Sequence, residues 1–450
     1  MATYLSRTPS TTGNRKTWTW SGWVKRNLNA AQQNLIAVST TTTTFSFLYF
    51  NPSNQLVMYS ADDGATGGYI QTTRQFNDIN GWYHILCTID TTNGTANDRM
   101  KLYVNGQQET SFVSRVNPIL NYDFYMNTSG NRMDIGSSGT GMSANSNVFY
   151  GLMSHINFID GTAYDASYFG STDSTTGQWQ INTSPSVTYG TNGFFILKDG
   201  NSVTDQSGNG NNYTVGNGTL TKTEDNPSNV FATMNSLNPS LNTARVFTNG
   251  NNTIELGGTA KVPEVSTLGM TSGKFYTESM RTGGSGGNTI IGITGAMHRP
   301  NANSNLGSEA SDYGYYGDNG DKINDTSQSS FGASFGTGDI MGIAVDLDNN
   351  KIYFSKNGVW QNSGDPTSGS TGTGSAFDLT APSLTPDGAY FFACSDDNPY
   401  ASRTITWNFG NGYLQTTAVS SAGTNASGIG IFEYDVPTGY TALSTKGLNL

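Results

Sequence analysis

The chain has 450 residues, of which 12% are charged and 12% aromatic, and its 33 acidic and 22 basic residues give a formal net charge of −11 at pH 7. A duplex-nucleic-acid binder needs clustered Lys and Arg to release counterions, so neither nucleic acid nor an anionic membrane is expected as a partner. No apolar run reaches the roughly 20 residues of a membrane-spanning helix, and membrane insertion is not expected either.

The composition predicts an all-β protein with little helix. Helices favour Ala, Leu, Glu and Lys, whereas this chain combines 55 glycines with 23 tyrosines, 22 phenylalanines and many Thr and Asn residues. These residues favour short strands joined by turns. Because the chain is too long for one hydrophobic core, two or three domains are expected.

Four strand-like segments lie in the first 170 residues. Residues 17–25 alternate so that Trp18 and Trp20 share one face, and residues 81–90, 100–107 and 150–161 follow the same period. In this order they resemble a laminin G-like, concanavalin A-type jelly roll. The resemblance implies a first β-sandwich domain over residues 1–172.

A loop-rich connector that packs on the sandwiches is predicted over residues 173–221. Its sequence, with the segments before and after it, resembles the connector between jelly-roll and SPRY-like domains in large proteins of tailed phages, especially marine ones. The segments that carry this likeness are Asp165 to Gly170, Gln178-Trp179, Tyr189 to Ile196, Asp205 to Thr214 and Asp225 to Asn229.

A β-hairpin is predicted over residues 338–360, where apolar and polar residues alternate on both sides of Asp348-Asn349-Asn350. The segment resembles the central hairpin of the SPRY domain, a β-sandwich used for recognition. That resemblance implies a second sandwich over residues 222–412. The remaining residues, 413–450, resemble the tail of such phage proteins and are expected to pack back on the sandwich.

Catalytic residues are not expected. Jelly-roll glycosidases use two carboxylates across a cleft, often spaced Glu-x-Asp-x-x-Glu, and the glutamates of this chain stand alone. We expect Glu278 to be a polar strand residue that faces solvent. The isolated glutamates include Glu109, Glu224, Glu255, Glu264, Glu278, Glu309 and Glu433.

Metal binding and nucleophilic catalysis are not predicted from the histidines or cysteines. His84, His155 and His298 are far apart in sequence and lack partners at metal-ligand spacing. The first two are expected to be structural. Cys87 and Cys394, in different predicted domains, are expected to be buried thiols rather than a disulfide.

Calcium is left open and no cofactor is predicted. Asp160, Asp199, Asp205 and Asn209 offer oxygen ligands in glycine-containing loops. Asp and Asn also build turns through bonds to their own backbone, and that interpretation is favoured.

Three tyrosines are the candidate ligand-binding residues. Tyr313, Tyr315 and Tyr316 lie among Asp, Asn and Gly, and aromatic rings stack on sugars and supply rigid contact area in interfaces. The alternative is that they pack inside the sandwich, as strand alternation requires. Burial is the favoured interpretation.

The function expected from these features is binding without chemistry. The phage resemblance implies a virion protein, either a fibre or spike that recognises host-surface polysaccharide or a capsid decoration protein; the rivals are a glycan depolymerase and a bacterial lectin. Other virion proteins are expected partners, and a homo-oligomer is expected, a trimer if it is a fibre. Residues 1–7 lack a signal-peptide pattern, so synthesis in a host cytoplasm is expected.

Overall fold

The structure is a computed structural model and folds into two compact units, Met1–Lys222 and Thr223–Leu450. The described residues are 3–142, 146–198, 200, 202–238, 244–257, 260–284, 289–299, 301, 303–398, 403–420 and 422–450.

Regular structure in the described residues consists of strands and three-residue 3-10 turns, which confirms the all-β prediction of two β-sandwiches. The finer division into jelly roll, connector, second sandwich and tail stays a prediction. The 3-10 turns are Ala96–Asp98, Ala166–Tyr168, Gln361–Ser363, Gly369–Thr371, Pro382–Leu384 and Gly447–Asn449.

The first unit contains an eight-stranded sheet, a six-stranded sheet and a small hairpin. The eight-stranded sheet has the order β10-β6-β5-β4-β3-β11-β1-β16, the six-stranded sheet has the order β15-β12-β2-β7-β8-β9, and β13 pairs with β14. The strands are β1 Tyr4–Arg7, β2 Thr17–Arg26, β3 Gln33–Ser39, β4 Phe45–Phe50, β5 Gln55–Asp62, β6 Ala65–Gln75, β7 Tyr83–Asp90, β8 Met100–Val104, β9 Gln107–Gln108, β10 Phe112–Val116, β11 Met133–Ile135, β12 Gly151–Asp160, β13 Gly170–Thr172, β14 Trp179–Ile181, β15 Phe194–Ile196 and β16 Thr214–Asn217.

The core of this unit lies between the two sheets, because alternate residues of each strand face inward. Trp18 and Trp20 are both fully buried there, as their shared parity predicts. Trp18 meets Phe124 edge to face, with ring centroids 5.7 Å apart. Burying two such rings excludes a large apolar area from water.

The outer face of the six-stranded sheet is covered by the chain that follows β12. Phe169 is buried against Leu86 and Ile159. The Thr88 hydroxyl donates to the carbonyl of Tyr164 at 2.7 Å, and the Trp179 indole N–H donates to His84 Nδ1 at 3.2 Å. Residues beyond 163 are therefore built into the first unit.

The second unit contains a nine-stranded sheet, a six-stranded sheet and a short hairpin. The longer sheet has the path β17-β18-β30-β20-β25-β26-β27, with β28 on β26 and β33 on β20; the other has the order β19-β29-β21-β22-β23-β24, and β31 pairs with β32. The strands are β17 Val246–Thr248, β18 Thr253–Leu256, β19 Glu264–Val265, β20 Lys274–Gly283, β21 Thr289–Thr294, β22 Asp312–Tyr316, β23 Asp321–Asn324, β24 Ser327–Ser330, β25 Ile340–Asp346, β26 Lys351–Lys356, β27 Val359–Trp360, β28 Phe377–Asp378, β29 Phe391–Asp396, β30 Arg403–Asn408, β31 Tyr413–Leu414, β32 Thr417–Ala418 and β33 Thr441–Ala442.

The predicted hairpin is present as β25 and β26, paired from Met341↔Lys356 to Asp346↔Lys351. Asn350 in the turn has a φ of 55°, a left-handed conformation that Asn tolerates better than most residues. Ile343 and Val345 point into the core between the two sheets.

The outer face of the nine-stranded sheet is covered by the end of the chain. Phe432, Val436 and Tyr440 are buried against Tyr276 and Tyr353 of the sheet. β33 also pairs in parallel with β20. The last residues of the chain therefore complete the second unit.

The prediction that Glu278 faces solvent is wrong. Its side chain is fully buried under this tail. Its two carboxylate oxygens accept the backbone N–H groups of Glu433 at 2.9 Å and Tyr434 at 2.8 Å. The Asn408 amide at 3.0 Å and the Tyr276 hydroxyl at 3.2 Å also donate to it. Residues 413–450 were expected to pack back on the sandwich, but strand alternation did not show that they cover the face that carries Glu278.

Candidate functional site

The three tyrosines proposed from sequence lie in the interior of the second unit. Tyr313, Tyr315 and Tyr316 are 3%, 0% and 9% exposed. Their hydroxyls donate to Thr380 Oγ1 at 3.2 Å, to the carbonyl of Ala333 at 2.6 Å and to Asp397 Oδ2 at 3.0 Å. Stacking on a ligand needs an outward ring, and none of the three has one, so the burial interpretation fits the geometry.

We expect Tyr315→Phe to lower the free energy of unfolding by about 1 kcal/mol, because the variant loses one buried hydrogen bond and keeps the packed ring. Ligand binding should not change. Chemical denaturation and a binding assay on the same preparation test this. If the variant bound ligand more weakly at unchanged stability, a role of Tyr315 in ligand binding would be supported instead.

Two of the residues considered for calcium, Asp160 and Asp205, have their carboxylate oxygens occupied by donors. Asp160 accepts the backbone N–H groups of Asn14 at 2.7 Å and Asn192 at 3.0 Å. Asp205 accepts those of Phe195, at 2.8 Å, and other donors in its own loop. Asn209 donates to two backbone carbonyls, and Asp199 lies outside the described residues. These contacts are those of turn formation.

His84 is a buried structural histidine. An indole N–H can only donate, so the bond from Trp179 makes Nδ1 an acceptor and leaves Nε2–H to donate to Ser21 Oγ at 2.9 Å. Burial lowers the pKa of His84 to about 3, which keeps the ring neutral. His155 contacts the Ser154 hydroxyl at 2.7 Å, and His298 is exposed.

Both cysteines are buried and free, as predicted, and burial raises the pKa of each thiol. Within the described residues, no group of three His, Cys, Asp or Glu side chains is placed to hold a metal ion.

The outward face of the eight-stranded sheet is a different surface, and it carries several side chains suited to ligand binding. Odd-numbered residues of β4 and β5 point outward, whereas Leu48, Phe50 and Met58 point into the core. Cross-strand pairing places one outward residue from each of seven strands in a single row. The row is Ser6, Asp134, Ala37, Phe47, Tyr59, Tyr69 and Val116.

Three tyrosines on neighbouring strands are only partly buried on this face, namely Tyr49, Tyr59 and Tyr69. The rings of Tyr59 and Tyr69 meet edge to face, with centroids 5.2 Å apart, and Tyr59 meets Phe45 at 4.8 Å. Burial raises the pKa values of Tyr49 and Tyr69, and the neighbouring tyrosines add to both shifts. The hydroxyls therefore stay protonated at neutral pH.

Amide side chains lie beside these rings. The Tyr69 hydroxyl donates to Gln71 Oε1 at 2.6 Å, and Gln71 Nε2 donates to Gln55 Oε1 at 2.6 Å. Asn51 Nδ2 donates to the same Gln55 oxygen at 3.2 Å. We call Tyr49, Tyr59, Tyr69, Gln55 and Gln71 the tyrosine–amide face.

The carboxylate in the row is Asp134, which is fully buried and held by Arg132. The guanidinium donates to Asp134 Oδ1 at 2.7 Å and Oδ2 at 2.6 Å, and Ser137 Oγ donates to Oδ2 at 3.1 Å. Burial raises the pKa of Asp134, and the Arg132 bonds oppose that shift. Held on both oxygens, this carboxylate is poorly placed for nucleophilic attack or proton transfer.

Sequence reasoning did not single out the tyrosine–amide face. The segment Phe45-Ser46-Phe47-Leu48-Tyr49-Phe50 has apolar residues at both parities, so alternation does not distinguish its two faces. The sequence analysis predicted none of the three strands β4, β5 and β6 that carry Tyr49, Tyr59 and Tyr69. Only their cross-strand register brings them together.

Two family models match the chain. The model described as Concanavalin A-like lectin/glucanases superfamily (Laminin_G_3) matches residues 2–162, and that of the SPRY domain matches residues 274–375. A match to a laminin G-like, concanavalin A-like domain is thus followed along the chain by a match to a SPRY domain. The first description names both lectins and glucanases, so it does not decide between binding and hydrolysis.

Solved structures show similar local folds. The SPRY domain of human HERC1 is 17% identical, with 37% of this chain and 92% of that chain covered and a TM-score of 0.29. A SAP-like pentraxin from Limulus polyphemus is 16% identical, with 36% and 71% covered and a TM-score of 0.27. A candidate carbohydrate binding protein from Bacteroides ovatus is 16% identical, with 49% and 57% covered and a TM-score of 0.32.

All three TM-scores are below 0.5, and these likenesses carry no argument about this chain. Comparison with curated proteins gave no match. The described residues include no helix long and apolar enough to cross a membrane.

Proposed function

We propose that this protein binds carbohydrate without cleaving it and that the tyrosine–amide face of the first unit is the binding surface. The observation that carries the proposal is the grouping of three partly exposed tyrosines with planar amides on three adjacent strands. Aromatic faces stack on the C–H surfaces of sugars while planar polar groups hold hydroxyls, and tyrosine serves both needs. The family description, which includes lectins, supports the same class of ligand.

The shape of the surface favours an extended glycan. Asp134, Ala37 and Phe47 of the row are buried. Neighbouring strands lie about 4.8 Å apart, so the accessible part, across the four strands β4, β5, β6 and β10, is roughly 14 Å long. Met142 packs against the Phe45 and Phe47 end, which leaves the tyrosines as the accessible part of the face. A chain of several sugar units fits this length better than a monosaccharide does.

We expect Tyr59→Ala to weaken glycan binding about tenfold, because a stacked aromatic contact contributes on the order of 1 kcal/mol and Tyr59 also positions Tyr69. Binding to a glycan array and calorimetry with the strongest hit measure the effect. Tyr168→Ala is the matched control, since Tyr168 is 42% exposed but lies on a different surface of the same unit. Equal binding by both variants and the wild type would contradict the assignment of the face.

The absence of catalysis belongs to the same proposal. Glycosidases need a second carboxylate free to act as acid, base or nucleophile, whereas Asp134 is engaged on both oxygens by Arg132. Incubation with bacterial capsular polysaccharides or lipopolysaccharides should release no oligosaccharide. Release that a single Asp or Glu substitution abolishes would overturn this part and favour a depolymerase.

The biological setting we propose is a phage particle, with the protein acting as a fibre or spike that attaches to host-surface glycan. The likeness of residues 165–229 to the connector of tailed-phage proteins supports this setting. Several copies on one particle convert weak sugar contacts into avidity. Antibody labelling of particles in the electron microscope separates a tail position from the capsid position of a decoration protein.

A further inference from the structure

Backbone N–H groups determine which atom of each side-chain amide beside the tyrosines is the oxygen and which is the nitrogen. Asn51 Oδ1 accepts the backbone N–H groups of Ser53 at 3.0 Å and Gln55 at 2.9 Å. A backbone N–H can only donate, so this atom must be the carbonyl oxygen of the Asn51 amide. Asn51 Nδ2 is therefore the nitrogen that points to the Gln55 side chain.

That assignment determines the next two amides. Gln55 Oε1 accepts from Asn51 Nδ2 at 3.2 Å and from Gln71 Nε2 at 2.6 Å. Because Gln71 donates through its nitrogen, its oxygen is left to accept, and the Tyr69 hydroxyl donates to it at 2.6 Å. A flip of either glutamine would set two donors or two acceptors against each other.

The Gln55 nitrogen is left without a partner. Gln55 Nε2 makes no hydrogen bond among the described residues, where the bonds of this side chain go to Oε1, although the residue is only 8% exposed. One N–H of Gln71 Nε2 is also unused. The Gln55 nitrogen is not fully buried, so solvent reaches it, and an acceptor on a ligand would replace water at its N–H groups.

The matching ligand group is a carbonyl oxygen. A sugar hydroxyl carries a proton of its own and is best held by a pair of groups, one donor and one acceptor. A carbonyl oxygen has two lone pairs and no proton, so it suits a site that presents only donors. The side-chain amides of Asn51, Gln55 and Gln71 are neutral. An anionic ligand would lose hydration at this site without gaining a countercharge from them.

An aromatic ring lies across the strands from this donor pair. Tyr49 pairs with Val57, and Val57 pairs with Gln71, which puts Tyr49 and Gln71 roughly 10 Å apart at the usual strand spacing. The ring is partly exposed, whereas Val57 between the two positions is fully buried. Tyr49 is therefore placed to stack on a sugar unit next to the one whose carbonyl the amides hold.

We propose that Gln55 and Gln71 recognise the acetamido carbonyl of an N-acetylated sugar, so that the glycan held by this face contains N-acetylhexosamine units. The inference rests on the proposed carbohydrate function and deepens it. Gln55 is the residue that determines specificity, whereas the tyrosines supply the stacking common to all sugars.

Chitotetraose and cellotetraose are the probes that test this, because both are neutral β-1,4-linked tetramers that differ only in the acetamido or hydroxyl group at C2. We expect chitotetraose to bind the full-length protein about tenfold more tightly, as two added amide hydrogen bonds would give. Isothermal calorimetry and saturation-transfer NMR measure the two affinities.

The decisive variant is Gln55→Glu, which keeps an oxygen to accept from Asn51 and Gln71 and removes both free N–H groups. We expect it to bind the two tetramers within about twofold of each other. Gln107→Glu, at an exposed position on β9 of the other sheet, makes the same charge change and should retain the tenfold preference.

The possible failures are distinguishable. Equal binding of the two tetramers by the wild type, or an undiminished preference in Gln55→Glu, would overturn acetamido recognition and leave the carbohydrate proposal standing. Binding of neither tetramer, together with an empty glycan array, would overturn both.

Discussion

Replacing Glu278 by Ala is expected to lower the free energy of unfolding of the second unit by about 4 kcal/mol and to free the end of the chain for proteolysis. The carboxylate accepts four hydrogen bonds, two of them from the backbone of Glu433 and Tyr434. Truncation leaves these donors buried without an acceptor, and each such donor costs about 1–3 kcal/mol before the structure relaxes. Urea denaturation and limited proteolysis with mass spectrometry measure the two effects.

Asp318→Ala provides the matched control, because Asp318 is an exposed carboxylate of the same unit. Its effect should stay within about 0.5 kcal/mol. A Glu278→Ala protein that keeps wild-type stability and an intact tail would show that the tail is held by its apolar contacts alone.

The same carboxylate makes stability depend on pH. Burial raises the pKa of Glu278 above its ordinary value, with the four hydrogen bonds opposing the shift. A group whose pKa is higher in the folded state contributes stability below its unfolded pKa, and this contribution is lost as pH rises through the folded pKa. The stability difference between the wild type and Glu278→Gln should therefore shrink as pH rises from the ordinary glutamate range toward neutrality.

Strand alternation was enough to predict much of the fold. The Trp18 and Trp20 pair and the hairpin of β25 and β26 each have apolar residues at one parity and turn residues at the ends. The pattern of such segments determines the register in which they pair, because a shift by one residue would expose all of their apolar side chains to solvent. The prediction of two β-sandwiches came from the resemblance of these segments to laminin G-like and SPRY domains, since alternation alone predicts strands and hairpins.

The second layers on the sheets could not be predicted in this way. The two-residue period of a strand identifies one buried face. Glu278 and Tyr276 lie on the opposite face, and they are buried by a tail that lies more than 150 residues away in sequence. Tyr316 is buried likewise outside the main core. Contacts over such separations leave no periodic signal in either segment.

The candidate site was missed for a related reason. Tyr49, Tyr59 and Tyr69 are each unremarkable within their own strands, and they become one surface only when β4, β5 and β6 pair in a particular register. The hydrogen bonds that link the side chains of Asn51, Gln55 and Gln71 likewise form only because a turn and two strands come together. By contrast, Tyr313, Tyr315 and Tyr316 drew notice because they are adjacent in sequence, and strand geometry places that group in the interior.

Arg299→Met is expected to destabilise the second unit by about 3–5 kcal/mol, the usual cost of removing one partner from a buried ion pair. Arg299 and Asp312 are 4% and 0% exposed and are joined by a direct hydrogen bond. Asp312 Oδ2 also accepts the backbone N–H groups of Gly307 at 3.0 Å and Glu309 at 3.1 Å. Without the guanidinium, the remaining charge is stabilised only by neutral donors, namely backbone N–H groups and the Thr294 side chain.

The pH dependence of the loss distinguishes this cause from simple loss of packing. Burial raises the pKa of Asp312, and Arg299 is the largest opposing influence, so the variant should have a still higher folded-state pKa. Stability is then present below the unfolded pKa and lost as pH rises, which makes the defect larger at pH 7 than at pH 4. Lys351→Met is the control, since its partner Asp378 is 79% exposed and surface pairs contribute at most about 1 kcal/mol. A defect in Arg299→Met that is equal at both pH values would mean that packing of the long side chain, rather than its charge, stabilises this region.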